Sequence, residues 1–226
     1  MGVVLIHGAW HGAWAWDGVV DALMERGQPA VAVELPLTSF DDDVAAARAA
    51  VSEAGPGAVV CGHSYGGLVI SAAARGLPVG HLVYLAAFMV DEDEPWGSLW
   101  RTTPTSLQAA LVVDESGTTV DPARVHESFY GDSSPEVSEA LASRLRPMPA
   151  PGAGRVDQSS PAWREVPSTY VVCTRDRAID PATQRTMARH AGTVLEWDAD
   201  HSPFLTRPSE IAALIVDRAK AASACT

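Results

Sequence analysis

Short apolar runs alternate with longer amphipathic stretches along most of the chain. Apolar runs of about four to eight residues are typical of buried strands, whereas apolar residues recurring every three or four positions are typical of helices. This pattern predicts strands at residues 3–6, 30–33, 58–61, 81–88, 169–173 and 193–197. It predicts helices at residues 13–26, 41–54, 65–75, 181–190 and 208–222.

The alternation of strands and helices predicts an α/β fold. Continuous apolar strands need helices on both faces of their sheet, so we expect a doubly wound, mostly parallel sheet of about six strands. Right-handed crossovers then place the ligand site at the carboxyl ends of the strands.

Residues 91–166 break this alternation. They are rich in Pro, Gly, Ser and Thr and carry only a weak helical pattern, at residues 135–145. An insertion of this length in a compact domain is usually functional. We therefore expect a core formed by residues 1–90 and 167–226, with residues 91–166 as an inserted lid.

Charge and cysteine content narrow the range of partners. The 226-residue chain carries a formal net charge of −12, which repels phosphate backbones and anionic lipid, so neither nucleic acid nor a membrane is an expected partner. The sequence has no signal-peptide pattern, and Cys61, Cys173 and Cys225 show no disulfide or zinc spacing. We expect a cytoplasmic protein that binds a small molecule, and the sequence leaves a homodimer open.

The strongest chemical signal is the sequence GHSYGG at residues 62–67, between a predicted strand and a predicted helix. The pattern G-x-S-x-G in this context is typical of a nucleophile elbow, a tight turn that exposes the serine and needs small residues at Gly62 and Gly66. Ser64 is therefore the predicted nucleophile. A P-loop would need Lys after its last glycine, and at residues 8–12 the Trp10 side chain would block the approach of a dinucleotide pyrophosphate.

A serine hydroxyl needs a base at neutral pH, and that base needs an acceptor that fixes its tautomer. Of the seven histidines, His201 follows the last predicted strand, in a loop from which it can reach the elbow. Asp176 follows the preceding strand, and the chain order Ser, Asp, His is typical of enzymes with this elbow. Asp180 is the rival acid, but it precedes Pro181 and fits better as a helix N-cap.

Backbone amides near the elbow are candidates for an oxyanion hole. We expect donors at Tyr65, which follows the nucleophile, and at Ala9, in the turn after the first strand. The side chains expected to wall an apolar substrate pocket are Trp10, Phe88, Met89, Trp96, Phe129 and Tyr130. This chemistry needs no metal and no cofactor, and the acidic residues 41–43 are expected to cap a helix rather than to bind a metal.

The sequence VLIHGAWHGAW at residues 4–14, together with GHSYGG and the segments around Asp176 and His201, resembles the small lid-bearing α/β hydrolases. That group includes plant methylesterases, the salicylate-binding esterase, hydroxynitrile lyases and bacterial esterases such as pyrethroid hydrolases. The resemblance covers nearly the whole chain and is weakest in residues 91–166. It implies the α/β-hydrolase fold, a triad of Ser64, Asp176 and His201, and Ala9 and Tyr65 as oxyanion donors.

Two departures favour an esterase over a lyase. The lyases carry Thr at the position of Gly8 and Lys at the position of Ser202, where the lysine charge supports a departing cyanide. We therefore expect a serine hydrolase that cleaves a carboxylic ester of a small, largely apolar substrate through an acyl-enzyme. Two alternatives remain open, namely a lactonase or cyclase of small-molecule biosynthesis on the same triad, and a ligand-binding receptor with little turnover.

Overall fold

The computed structural model describes residues 2–115, 117–149 and 156–224. Its strands, in chain order, are β1 Val3–Ile6, β2 Ala30–Val33, β3 Val59–His63, β4 His81–Leu85, β5 Leu111–Asp114, β6 Gly117–Val120, β7 Ser168–Cys173 and β8 Thr193–Trp197. Its α-helices are α1 Asp17–Glu25, α2 Phe40–Ala54, α3 Gly66–Ala73, α4 Trp96–Trp100, α5 Ser106–Ala110, α6 Val125–Phe129, α7 Pro135–Ala142, α8 Pro181–Ala188, α9 Pro203–Thr206 and α10 Pro208–Ala224. None of these described helices has both the length and the apolar character needed to cross a membrane.

Six strands form one parallel sheet in the order β2-β1-β3-β4-β7-β8. The sheet grows from β1 in both directions, which confirms the doubly wound topology predicted from the sequence. Because β1 and β3 are neighbours and run in the same direction, the loops that follow them lie side by side at the carboxyl edge. This edge is where ligands bind in sheets of this kind.

Alternate residues of the central strands face two different helical layers. Val4 and Ile6 pack with residues of α2 and α3, whereas Val3 and Leu5 pack with residues of α1 and α10. The two edge strands, β2 and β8, are only half-buried, because each has a neighbouring strand on one side only.

Several element bounds differ from the sequence prediction for local reasons. The helix predicted at residues 13–26 begins as a 3₁₀ turn, Ala13–Trp16, and becomes α-helical only at Asp17. The strand predicted at residues 81–88 ends at Leu85, because Ala86 has a positive φ of 44° that leaves the extended region. The antiparallel hairpin of β5 and β6 was not predicted, although β-branched residues flank its turn.

Residues 91–166, named here the insertion, contribute none of the six sheet strands. The insertion packs against the loops that follow β1, β7 and β8. The Arg146 amide donates to Trp10 O at 2.7 Å and the Leu107 amide to Arg177 O at 3.2 Å, while the Asp132 amide donates to Asp200 at 2.9 Å. The insertion therefore covers the carboxyl edge of the sheet.

Candidate active site

Ser64 lies in the turn between β3 and α3 and has a φ of 52°, a left-handed conformation that non-glycine residues rarely adopt. Its amide donates to Leu85 O at 3.3 Å, and its carbonyl accepts from the Phe88 amide at 3.0 Å. A Cβ atom added at Gly62 would lie 2.6 Å from Gly66 O, and one at Gly66 would lie 2.6 Å from Ile6 O. No side chain fits at either glycine, so the turn between β3 and α3 is as tight as the motif requires.

Asp176 and His201 come from the loops after β7 and β8 and meet in the interior. Asp176 Oδ2 lies 2.6 Å from His201 Nδ1, and both side chains are almost completely buried. Asp176 Oδ1 accepts from the amides of Ala178 at 2.7 Å and Ile179 at 2.9 Å. The backbone of its own loop therefore holds the Asp176 carboxylate independently of its contact with the imidazole.

Gln184, on α8, is a further residue of this site that the sequence reasoning missed. Its Nε2 donates to Asp176 Oδ2 at 2.7 Å and to Ile179 O at 2.8 Å, and its Oε1 accepts from the Cys173 amide at 3.0 Å. No sequence pattern indicated this role, because a lone glutamine on a helix has no recognisable signal.

The other acidic residues near His201 have structural partners. Asp180 accepts from the amides of Ala182 and Thr183 and caps α8, as the capping argument predicts. Asp198 is exposed and pairs with Arg175. Asp200 accepts from the amides of Ser202 and Asp132, and burial raises its pKa.

Two unpaired backbone amides lie beside Ser64. Within the described part of the chain, no group accepts a hydrogen bond from the N–H of Ala9 or of Tyr65. Ala9, Ser64 and Tyr65 line one cavity of about 60 Å³. Its other lining residues are Trp10, Phe88, Trp100, Leu107, Met148, Pro149 and Ile179. Unpaired N–H groups are rare in protein interiors, so these two are available to an acceptor that enters the cavity.

The structure distributes the six predicted pocket residues over different environments. Trp10 and Phe88 line the cavity beside Ser64, whereas Met89 is fully buried in the core cluster. Phe129 borders a separate polar groove of about 490 Å³ with Asp176 and His201. Tyr130 is fully buried and its hydroxyl is bonded to His11. The side chain of Trp96 lies outside the part of the chain that the structure describes.

His63, the residue that precedes Ser64, contacts His201. The ring centroids of His63 and His201 are 4.5 Å apart, and His63 Nε2 lies 2.8 Å from His201 O. The described residues include no hydrogen bond to the Ser64 hydroxyl. In enzymes without bound substrate, hydrogen bonds between catalytic groups are often long. The transfer of a proton from Ser64 to His201 is therefore part of the proposed mechanism and not an observed contact.

His63 also explains why position 8 is glycine. Because a carbonyl only accepts, His63 Nε2 carries the proton that it donates to His201 O, and Nδ1 is unprotonated and has no partner among the described residues. A Cβ at Gly8 would lie 2.9 Å from this Nδ1 and 3.0 Å from Ser64 Cβ. The threonine of the lyases would not fit here without a shift of His63 or Ser64.

Three histidines in this region are neutral. Burial lowers the pKa of His7 to about 4 and that of His11 to about 3. Burial, followed by the neighbouring His201 and His11, lowers the pKa of His63 well below its ordinary value. His7 Nδ1 lies 2.8 Å from Gly8 O, and its Nε2 accepts from the Leu35 amide at 3.0 Å. His7 thus holds the loop after β1.

Tyr65 is fixed by Asp43 of the neighbouring helix α2. The Tyr65 hydroxyl donates to Asp43 Oδ2 at 2.7 Å, and the Leu37 amide donates to Asp43 Oδ1 at 2.8 Å. Burial raises the pKa of Asp43. At the start of α2, Ser39 and Asp42 supply the N-terminal capping contacts. The acidic run was expected to cap the helix, and Asp43 has this further role in anchoring the elbow.

The chain is similar to known hydrolases over nearly its whole length. The chain is 30% identical over 241 residues to the alpha/beta hydrolase nvfD of Aspergillus novofumigatus, with 94% of each chain covered. It is 25% identical to methylesterase 18 of Arabidopsis thaliana, with 97% of each covered. The crystal structure of a pyrethroid hydrolase from Sphingobium faniae JZ-2 superimposes with a TM-score of 0.76 at 23% identity, covering 98% of each chain.

A family model gives the same result over most of the sequence. The model described as the alpha/beta hydrolase family matches residues 3–214, which include the elbow, the insertion and the loops that carry Asp176 and His201. The resemblance seen in the sequence is confirmed, and the chain belongs to the alpha/beta hydrolase family.

Proposed function

We propose that this hydrolase cleaves a carboxylic ester of a small, largely apolar substrate, with Ser64 as nucleophile and a covalent acyl-enzyme intermediate. The observation that carries the proposal is the position of Ser64. It occupies a strained elbow and lines one apolar cavity with the two unpaired amides of Ala9 and Tyr65. An acyl carbonyl placed there has a nucleophile and two donors within the same small volume.

The proposed reaction has two steps. His201 Nε2 takes the Ser64 proton as Oγ forms a bond to the ester carbon, and the carbonyl electron pair moves to the oxygen facing Ala9 and Tyr65. Asp176 stabilises the imidazolium through the hydrogen bond to Nδ1. The carbon–oxygen bond to the alcohol then breaks, and the alcohol takes the proton from His201. Water repeats the sequence on the acyl-enzyme and releases the acid.

The relatives support ester hydrolysis as the chemistry. Similar proteins include methylesterases and an esterase of plants, and the structural neighbours include pyrethroid hydrolases. The cavity beside Ser64 is small and lined mainly by apolar side chains, which favours an apolar group on the bound substrate.

The test is the turnover of p-nitrophenyl esters of increasing acyl length by the wild type and by Ser64→Ala. We expect the substitution to lower kcat by about 10⁴-fold or more, because no other group replaces the nucleophile. Ser71→Ala is a matched control. Ser71 is also a buried serine, but it lies within α3 and its hydroxyl bonds Gly67 O and Tyr84, so this variant should keep turnover within a few-fold of the wild type.

A covalent label identifies the nucleophile independently of the choice of ester. An alkyl fluorophosphonate should add one phosphonyl group to the wild type at Ser64, as located by peptide mass spectrometry, and none to Ser64→Ala. Labelling without turnover of any ester would favour the receptor alternative. Near-wild-type turnover by Ser64→Ala would refute the proposed mechanism.

A further inference from the structure

The loop of residues 8–12, named here the β1 loop, carries the Ala9 amide but is weakly held by its own hydrogen bonds. Among the described residues, its one internal backbone bond joins the His11 amide to Gly8 O at 3.4 Å. Trp10 has a φ of 62°, a conformation that costs about 1 kcal/mol or more for a bulky residue. A strained loop of this kind persists only when its surroundings hold it.

Arg146, in the insertion, makes three of the hydrogen bonds that hold the β1 loop. Its amide donates to Trp10 O at 2.7 Å. Its guanidinium donates to His11 O from Nε at 3.2 Å and from Nη2 at 2.9 Å, and to Leu35 O at 2.9 Å. It also pairs with Glu34 Oε1 at 2.6 Å. The carbonyls of two successive loop residues are therefore fixed by one side chain and its own backbone.

Glu34 extends this support to the end of the loop. While Oε1 pairs with Arg146, Oε2 accepts from the Ala13 amide at 2.7 Å. Ala13 begins the 3₁₀ turn that follows the loop. Arg146 thus holds the middle of the β1 loop, and Glu34 holds the residue that follows it.

Tyr130, also in the insertion, reaches Ala9 through His11. His11 Nδ1 lies 2.7 Å from Ala9 O, and His11 Nε2 lies 2.8 Å from the Tyr130 hydroxyl. Ala9 O only accepts, so Nδ1 carries the proton. The ring is neutral because burial lowers the pKa of His11 to about 3, so Nε2 accepts from Tyr130. The result is a directed chain from Tyr130 to His11 to Ala9.

The part of the insertion that carries Arg146 is itself anchored to the β1 loop. Trp10 Nε1 donates to Thr118 O at 2.9 Å. Thr118 and Met148 exchange two backbone hydrogen bonds, at 2.7 and 3.1 Å. Arg146 is two residues from Met148, so its position follows from this pairing.

We propose that Arg146 and Tyr130 are positioning residues for the oxyanion hole, which act by fixing the β1 loop so that the Ala9 amide faces the substrate oxygen. This inference rests on the proposed function, since it assigns Ala9 as an oxyanion donor. Under this proposal the insertion contributes to the rate of the chemical step in addition to covering the site. Loss of an oxyanion donor lowers kcat by about 10²–10³-fold, and a displaced donor lowers it by less.

The experiment compares Arg146→Gln, Arg146→Lys and Tyr130→Phe with the wild type in ester hydrolysis. We expect kcat to fall about tenfold or more in Arg146→Gln with KM changed less than about threefold, because the loop amide acts on the transition state. Arg146→Lys keeps the charge facing Glu34 but not the planar fork, so it should recover only part of the loss. Tyr130→Phe removes one hydroxyl and should show a smaller fall in kcat.

A trifluoromethyl ketone inhibitor supplies a readout that a merely structural role would not change. The ketone carbon bonds Ser64 Oγ, the proton passes to His201, and the resulting oxyanion occupies the site of the transition-state oxygen. Its affinity should fall in Arg146→Gln by the same factor as kcat/KM. The matched control is Arg48→Gln, because Arg48 also donates to two backbone carbonyls, Ala73 O and Arg75 O, but lies outside the site. This control should lower Tm and leave inhibitor affinity unchanged.

The outcomes separate the two proposals. If the wild type neither hydrolyses esters nor binds the ketone, the proposed function fails. If the wild type does both and the Arg146 and Tyr130 variants keep kcat and inhibitor affinity, the positioning role alone is refuted. Should Arg146→Gln fail to fold, Tyr130→Phe decides the question by the same two measurements.

Discussion

Acid should destabilise this protein strongly, because three neutral histidines are buried around the elbow. Burial lowers the pKa of His7 to about 4 and of His11 to about 3 from an ordinary value of 6.5, and it lowers the pKa of His63 in the same direction. The groups that act on them are Glu34 and Arg146 at His7, and the other histidines of the cluster, with His201, at His11 and His63.

The sign and size of the effect follow from proton binding. Between pH 7 and pH 5 these side chains stay neutral in the folded protein but become protonated once the chain unfolds. The unfolded state therefore binds more protons, and stability falls as pH falls. Each histidine should lower the free energy of unfolding by about 2 kcal/mol over this interval, so the cluster should lower it by about 6 kcal/mol. Typical domains have about 5–15 kcal/mol in total.

Three other buried groups also affect how the free energy of unfolding depends on pH, and they do not all act in the same direction. His81, at the start of β4, has its pKa lowered to about 4 by burial and adds to the loss. Burial raises the pKa of Asp43 and Asp200 above 3.8, so each stabilises the folded state as pH falls and opposes the histidines.

The assay is urea unfolding followed by tryptophan fluorescence at half-unit steps from pH 7 to pH 5. The chain has seven tryptophans, which give a strong signal. Near pH 5.5 the slope should be about 3–4 kcal/mol per pH unit, equivalent to uptake of about three protons on unfolding. A free energy of unfolding that is flat or rises between pH 7 and pH 5 would show that the three histidines are not neutral in the folded state.

Two further predictions concern the support of Asp176 by Gln184 and the tight turn at Gly62. Gln184→Leu removes one donor from Asp176 and leaves the Cys173 amide and Ile179 O unpaired. It should lower the free energy of unfolding by about 3–5 kcal/mol and kcat by about tenfold, as measured by urea unfolding and ester turnover. The control, Thr186→Ala on the same helix, should change neither quantity. Wild-type values of both quantities in Gln184→Leu would contradict the assigned role. Gly62→Ala places a Cβ 2.6 Å from Gly66 O and should lower the free energy of unfolding by about 2–4 kcal/mol. The control is Gly18→Ala in α1, where the nearest atom would be 3.5 Å from the new Cβ. This variant should be neutral or stabilising by about 0.5–1 kcal/mol. Equal stability of the two alanine variants would refute the steric argument for the elbow.

The features predictable from sequence were those with local signals. The elbow motif, the helix start at Pro181 and the apolar strands each depend on a few adjacent residues. The sheet and the loops that carry Ser64, Asp176 and His201 could therefore be predicted from these segments. The β5–β6 hairpin also had a local signal, a glycine between β-branched residues, but the surrounding Pro- and Ser-rich composition obscured it.

The supporting contacts were not predictable because they join distant parts of the chain. Arg146 and His11 are 135 positions apart, and Tyr130 and His11 are 119 apart. Asp43 and Tyr65 meet only because α2 packs against α3. Such pairs depend on the tertiary arrangement, and a single sequence contains no pattern that links their members.

The hydrogen bonds of the Asp176 carboxylate have a consequence for the proposed mechanism. Two amides bond one of its oxygens, and Gln184 and His201 bond the other, which uses about all the lone-pair positions that a carboxylate offers. These four bonds leave no free position on the carboxylate for a solvent molecule, and in the proposed mechanism the carboxylate does not need to turn when the imidazole accepts a proton. In the proposed mechanism, the group that stabilises the imidazolium is thus already in place once the chain has folded.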